Sequence, residues 1–253
     1  MNHINLIKTD FLAKIILSKP PLNILEAHDL EKLAEILDSI KKENTLRAVI
    51  IESDQKIFSA GVNISSHAKE KINEMLKAFH SVFFKLLDLE IPVISLVKSG
   101  CIGGGCELAL FCDFVLASEK AYFSQPEIKI GCYPPVSLVY FPYLTGNKKS
   151  LEMILTGNKL SAKDALLCGF INHVFNDEEF DTKAELFINS VIGNSQAVIK
   201  TALKAYKRLH YAEIKDKLKF SEKIYLEELM RLEDTEEGLK SFLEKRQPVW
   251  KGR

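Results

Sequence analysis

The chain has 253 residues, 47% hydrophobic and 27% charged, which is enough for one large domain or two small ones. Its 34 basic and 34 acidic side chains cancel, so bulk charge gives no support for a nucleic-acid or anionic-membrane ligand. Five cysteines scattered through apolar segments, with no signal-like start, read as reduced thiols in a cytoplasmic protein, and no apolar run approaches the roughly 20 residues a membrane helix needs.

In chain order, Ile4–Ile7 and Ala13–Leu17 read as a strand hairpin. Leu30, Leu33, Ala34, Leu37 and Ile40 keep a 3–4 spacing, which predicts a helix over Ala27–Lys42 with one buried stripe. Ala48–Ile51, Val93–Val97 and Phe114–Ala117 are continuous apolar runs of strand type, and a helix over Gly104–Cys112 precedes the last of them. Strand, helix, strand repeated in this way predicts an α/β fold of ββα units on a mostly parallel sheet. Ser161–Asp164 carries a capping-box signal with Gly169 at the helix end, and Ile171–Phe175 is a short strand candidate. From about Val136 onward the pattern is mostly helical, and Asp177 to the C-terminus holds three or four helices. The boundaries predicted are a core over residues 1–195 and a C-terminal helical region over 196–253.

Three segments can carry chemistry. Phe58-Ser59-Ala60-Gly61 follows a strand run, and a small residue beside a glycine exposes a backbone N–H that can form half of an oxyanion hole; it can equally be a plain strand-to-loop turn. Gly103-Gly104-Gly105 precedes a helix, where three glycines serve either a close ligand or tight helix–strand packing. No Gly-Lys-Ser/Thr follows, which disfavours a phosphate loop, and the glycine spacing is wrong for a dinucleotide fingerprint. Glu107 falls on the first helical turn, where the dipole favours a charge. Its neighbours Cys106, Leu108, Ala109, Leu110 and Phe111 are so apolar that a pocket position is the better reading. Glu127, after Gln125-Pro126, reads either as a second pocket acid or as a solvent-facing loop residue. There is no G-x-S-x-G elbow and no H-E-x-x-H, and the six histidines are dispersed, so no metal site is expected.

These pieces, in this order, resemble the crotonase (enoyl-CoA hydratase/isomerase) superfamily. The resemblance runs through Phe58–Asn63, Gly103–Glu107, Cys112-Asp113, Phe123–Glu127, Leu155–Gly157, Ala165–Gly169 and Phe242–Pro248. It implies a ββα spiral core with a helical C-terminal subdomain, a homotrimer or hexamer, acyl-CoA thioester substrates and no cofactor beyond the substrate's own coenzyme A. It implies oxyanion-hole amides at Ala60 and Gly104 and hydratase-type carboxylates at Glu107 and Glu127. Family isomerases keep only the carboxylate matching Glu127, so the pair favours water addition or removal over a Δ3,Δ2-isomerase. A non-catalytic binding protein on the same fold is disfavoured by the intact pair.

The same resemblance implies a substrate-binding set of Leu25, Ser59, Gly61, Val62, Asn63, Tyr133, Phe242 and Lys245, the last two usually reaching in from a neighbouring subunit. Two departures stand out. Asn63 replaces the family's common Asp. Gly131-Cys-Tyr-Pro-Pro-Val-Ser137 replaces a glycine-rich stretch, and its rigid Pro134-Pro135 pair and Tyr133 wall are similar to hydratases of cyclohexa-1,5-diene-1-carboxyl-CoA. Phe79, Phe83 and Phe84 form an aromatic helix stripe that can line an acyl pocket or fill a core.

Overall fold

The computed structural model describes residues 3–253. β1 (Ile4–Lys8) and β2 (Leu12–Leu17) pair antiparallel. From β2 onward the main sheet is parallel, through β3 (Ala48–Ser53), β4 (Val93–Val97), β6 (Phe114–Ser118) and β9 (His173–Phe175), in the order β1-β2-β3-β4-β6-β9. β4 is buried along its whole length, which is why it reads as an unbroken apolar run. Its one polar residue, Ser95, donates to the Ala109 carbonyl at 2.9 Å and so fastens the sheet to α3 (Gly104–Leu110). A second sheet has three very short strands in the order β5 (Gly100–Ile102), β7 (Tyr122–Ser124), β8 (Leu160–Ser161).

The predicted first helix forms as α1 (Ala27–Lys41), its stripe of Leu30, Leu33, Leu37 and Ile40 buried. Asp29 closes a capping box by accepting the Glu26 N–H at 2.9 Å. The aromatic stripe lies on α2 (Ile72–Asp88), which packs on α1. Phe79, Phe83 and Phe111 meet edge to face at centroid separations of 4.8 and 5.0 Å, a geometry that adds to burial. Ser161 caps α6 (Ala162–Leu167) by accepting the Asp164 N–H, as its sequence signal predicts.

After α4 (Pro135–Thr145), α5 (Asn147–Thr156), α6 and α7 (Phe180–Ile192), the chain ends in α8 (Gln196–His210), α9 (Ile214–Glu227) and α10 (Glu233–Leu243). These last helices fold back onto the strand-bearing part. From α8, Lys207 reaches the Leu86 and Leu89 carbonyls at 3.0 Å and Asp113 at 3.4 Å. From α9, Glu222 pairs with buried His80 of α2, and the Ser221 carbonyl accepts the Tyr133 hydroxyl at 2.9 Å.

α10 bears on the short 3-10 turn Pro126–Ile130. Thr235 Oγ1 donates to the Gly131 carbonyl at 2.9 Å, and a methyl group placed on Gly238 would sit 2.4 Å from the carbonyl of Ile130. No side chain fits at that approach, so a helical glycine serves here although it weakens the helix itself.

Gly238→Ala therefore has the opposite sign from an ordinary helix substitution. Propensity alone favours alanine by about 1 kcal/mol, but the clash with the Ile130 backbone costs more, and we expect a net loss of about 2 kcal/mol. Chemical denaturation of the two proteins measures it, and an alanine variant of equal or greater stability would show that α10 does not bear on this turn.

Candidate active site

The floor of the site is the junction of β5 and α3. Gly103 takes φ +56° as N-cap and donates to the Ser124 carbonyl at 2.8 Å, which leaves Gly104 as the first helical residue with an outward amide. The opposite lip is the loop after β3. Gly61 (φ +86°) packs so closely that a methyl group on it would lie 2.8 Å from the Gly104 nitrogen. The Leu25–Val62 bridge holds this loop: Leu25 N–H donates to the Gly61 carbonyl at 2.8 Å and Asn63 N–H to the Leu25 carbonyl at 3.0 Å.

This lattice corrects one expectation. The Ala60 N–H already donates to the Leu22 carbonyl at 2.9 Å, so it is not available to an oxyanion. Among the described residues, the amides of Val62 and Gly104 have no acceptor, and their residues face each other across one cavity: a methyl on Gly104 would lie 3.2 Å from Val62 Cγ2. Val62 and Gly104 are thus the pair of amides open to a ligand. Ala60 lines the cavity without offering its N–H.

The cavity holds about 420 Å³. Met75, Leu76 and Phe79 of α2 form one apolar side, and Tyr133, Pro134 and Pro135 form another. Phe83 lies fully buried in the core behind Phe79, and Phe84 packs partly buried against that core, so of the aromatic stripe only Phe79 touches this space. Phe242 and Arg246 both line this cavity.

The other expected substrate contacts sit elsewhere. Leu25 is buried in the core and acts through its backbone, and Ser59 is fully buried, bonded to the Asn23 carbonyl and the Gly61 N–H. Asn63 turns its side chain to cap the 3-10 turn Ile64–His67. Lys245 is exposed, takes φ +56° just past α10, and is not among the lining residues.

Glu107 and Glu127 both open onto this cavity. Glu107 is 2% exposed and accepts the Ser137 N–H at 2.8 Å. Burial pushes its carboxyl up to about 7, against the opposing pull of the Ser137 N–H, the Ser137 hydroxyl and the Val136 N–H, which favour the charged form. Glu127 rests against Gly103, where any side chain would collide with its Oε1 at 2.8 Å. Its carboxyl is driven well above the usual range by burial first and by the neighbouring Glu107 charge second. Two carboxyls so placed titrate as a pair, and the charge on Glu107 holds the proton more firmly on Glu127.

Sequence reasoning missed two polar residues of the site. Gln125 and Ser137 are fully buried, and the Gln125 amide lies between Ser137 Oγ at 2.6 Å and the two Glu127 oxygens at 3.0 and 3.1 Å. The signal for Gln125 was its place beside Pro126 and Glu127. Ser137 gave none, because its link to Glu107 spans 30 residues.

Comparison with known proteins agrees with this geometry. The sequence model of the family described as Enoyl-CoA hydratase/isomerase matches residues 8–253. The chain is 29% identical to a cyclohexa-1,5-dienecarbonyl-CoA hydratase of Thauera aromatica, over 96% of this chain and 93% of that one. It is 30% identical to a probable enoyl-CoA hydratase of Bacillus subtilis, over the full length of both. Its fold superposes on an enoyl-CoA hydratase from Mycobacterium avium subsp. paratuberculosis with a TM-score of 0.89, at 22% identity and 98% coverage of each chain. A family match across nearly the whole chain, over a spiral of parallel strands with a glycine-built amide pair, is decisive: this chain belongs to the enoyl-CoA hydratase/isomerase family, the crotonase superfamily.

Proposed function

We propose that this hydratase-type lyase adds water to, or removes it from, a 2-enoyl-CoA thioester with Glu107 as base and Glu127 as acid, and that its acyl group is a compact ring. The observation that carries the reaction is the meeting of two carboxyls and two unpaired amides, Val62 and Gly104, in one apolar cavity. When hydroxide character builds at the β-carbon, charge moves onto the thioester oxygen. Two fixed N–H groups meet it there without reorganising, and each such donor can contribute roughly 3–4 kcal/mol in the transition state.

The unequal proton affinities of the carboxyls support the division of labour. A base must be ionised, and Glu107 gives up its proton near 7; an acid must keep its proton, and Glu127 does so at higher pH. Glu107 takes a proton from water as the oxygen bonds to the β-carbon, and Glu127 gives its proton to the α-carbon. An isomerase needs only one carboxyl and no water.

The ring preference rests on the wall. Pro134 and Pro135 fix their backbone, and the Tyr133 ring is held by its hydroxyl bond to Ser221 and by an edge contact with Tyr225 at 5.0 Å. A rigid aromatic and proline wall suits a flat ring better than a flexible chain. The Thauera relative, named for a cyclic dienoyl thioester, points the same way.

Glu107→Gln and Glu127→Gln should each cut kcat by several orders of magnitude with little change in thioester binding, read by product mass shift of one water and by calorimetry; near-normal turnover in either variant removes that residue from the reaction. Turnover of a cyclohexadiene carboxyl thioester should exceed that of crotonyl-CoA, and the reverse order would sink the ring assignment.

The rate of the unaltered enzyme should rise with pH through about 7 as Glu107 ionises and fall at higher pH as Glu127 loses its proton. Stability should run the other way. Glu107 is raised from 4.5 to about 7 by folding, so its contribution is fully present below the unfolded value and is lost as pH rises toward the folded one. That loss is about 3 kcal/mol at pH 8, and Glu107→Gln, which keeps an acceptor for the Ser137 N–H, should melt higher than the parent there but not at pH 4.

A further inference from the structure

The open amide of Val62 is the exception in its loop. The Ala60 N–H is taken by the Leu22 carbonyl at 2.9 Å, the Gly61 N–H by Ser59 Oγ at 2.9 Å, and the Asn63 N–H by the Leu25 carbonyl at 3.0 Å. All three acceptors belong to one short stretch or are held by it. Leu22 and Leu25 flank Asn23 in the link between β2 and α1, and the Ser59 hydroxyl donates to the Asn23 carbonyl at 2.7 Å.

Asn23 is itself fully buried and takes φ +49°, a left-handed backbone that a short polar side chain tolerates when it is bonded locally. Its N–H donates to the Lys19 carbonyl at 2.8 Å and its Oδ1 accepts the Lys19 N–H at 2.6 Å, which closes the turn. Its Nδ2 crosses to the other segment and donates to the Phe58 carbonyl at 2.9 Å and to Ser53 Oγ at 2.7 Å. A main-chain N–H on one side and a carbonyl on the other fix which way this amide points. Ser53 passes the hold on by donating to the Ile57 carbonyl at 2.7 Å. One side chain thus joins the turn before α1 to the loop after β3.

We propose that Asn23 is a positioning residue for the oxyanion hole: by fastening the turn of Leu22 and Leu25 to the loop from Ser53 to Asn63, it sets the register in which the Ala60 and Asn63 amides are consumed and the Val62 amide stays open beside Gly104. This rests on the reading of Val62 and Gly104 as oxyanion donors and extends it. Asn23 is not among the residues lining the cavity, so it acts through the loop and not on the substrate. Without the side chain, the turn and the loop are joined by single backbone bonds, and Val62 loses its fixed place. A donor that must reorganise as charge builds stabilises it less, and a misplacement of about 1 Å at a reacting centre can cost roughly a hundredfold in rate.

The test reads the donors without turnover. Cyclohexanecarboxyl-CoA with carbon-13 at the thioester carbonyl has no double bond to hydrate, and isotope-edited infrared spectroscopy follows its C=O stretch in the bound state. The parent should lower that frequency, because two N–H groups polarise the carbonyl. Asn23→Ala should lose a large part of the shift and lower kcat for hydration about tenfold to a hundredfold. The ascending limb of its rate against pH should stay near 7, since Glu107 is held by the Ser137 N–H. A limb that moves together with the band would make Asn23 a general support of the fold and overturn the proposal. Asn23→Gly permits the same φ without the amide and should behave as the alanine variant; a parent-like shift and turnover there would show that backbone conformation alone suffices. Ser53→Ala removes one acceptor of the Asn23 amide, should change band and kcat in the same direction by less, and carries the test if the Asn23 variants do not fold. An unchanged band and rate in the folded variants overturn the role of Asn23, whereas a parent that binds the thioester without any shift overturns the oxyanion reading itself.

Discussion

The constraint on which the site depends is that two carboxyl groups open onto one cavity, where burial and their mutual repulsion oppose the ionisation of both. In water a pair of acids with ordinary affinities would both be charged at neutral pH and neither could deliver a proton. Burial removes the solvation that charge needs, and the first ionised partner then opposes the second. In the proposed reaction this makes one acid and one base from two identical side chains. The fold distinguishes them by donors: Glu107 receives the Ser137 N–H and sits on the first turn of α3, where the helix dipole favours charge, whereas the largest influences on Glu127 are burial and Glu107 itself.

Holding that pair requires close backbone approach, which explains where the glycines stand. Gly61 lies against the Gly104 nitrogen, Gly103 against the Glu127 carboxyl, and Gly238 against the Ile130 carbonyl. Each removes a side chain at a point where two segments meet around the cavity. The first sets the spacing of the two free amides, the second admits Glu127, and the third lets α10 press on the turn that carries it. The last helices therefore help to build the site: α9 anchors Tyr133 through Ser221, and α10 supports Glu127 and adds Phe242 to the lining.

Much of this was readable in the residues, and the exceptions have physical reasons. β3, β4 and β6 announce themselves because a strand buried on both faces must be apolar throughout, and α1 because a helix buried on one face must be apolar at 3–4 spacing. Glu107 stood out as a charge in an apolar helix. The second sheet did not, since strands of two or three residues carry no periodicity. The oxyanion amide was assigned to Ala60 because a small residue beside a glycine exposes its N–H. Which N–H remains free, however, is decided by Leu22, a partner 38 residues away, and that choice passes the role to Val62. The same loop lattice turned Leu25, Ser59 and Asn63 from expected contacts into braces. Past α10, Lys245 takes φ +56° and is exposed, while its neighbour Arg246 lines the cavity.

The segment from Tyr133 to Ser137 ties specificity to acidity. Tyr133, Pro134 and Pro135 are the cavity wall, while the next two residues, Val136 and Ser137, present the amides that favour an ionised Glu107. Pro135 opens α4, so the wall, the helix start and the carboxylate's anchor are one rigid unit. A glycine-rich segment in this place could bend to admit a different acyl group without disturbing the acid. Here the proline pair stands directly before the two residues whose amides favour an ionised Glu107. In the proposed reaction, a wall built this stiffly favours one shape of acyl group and keeps the Glu107 anchor fixed whatever fills the cavity.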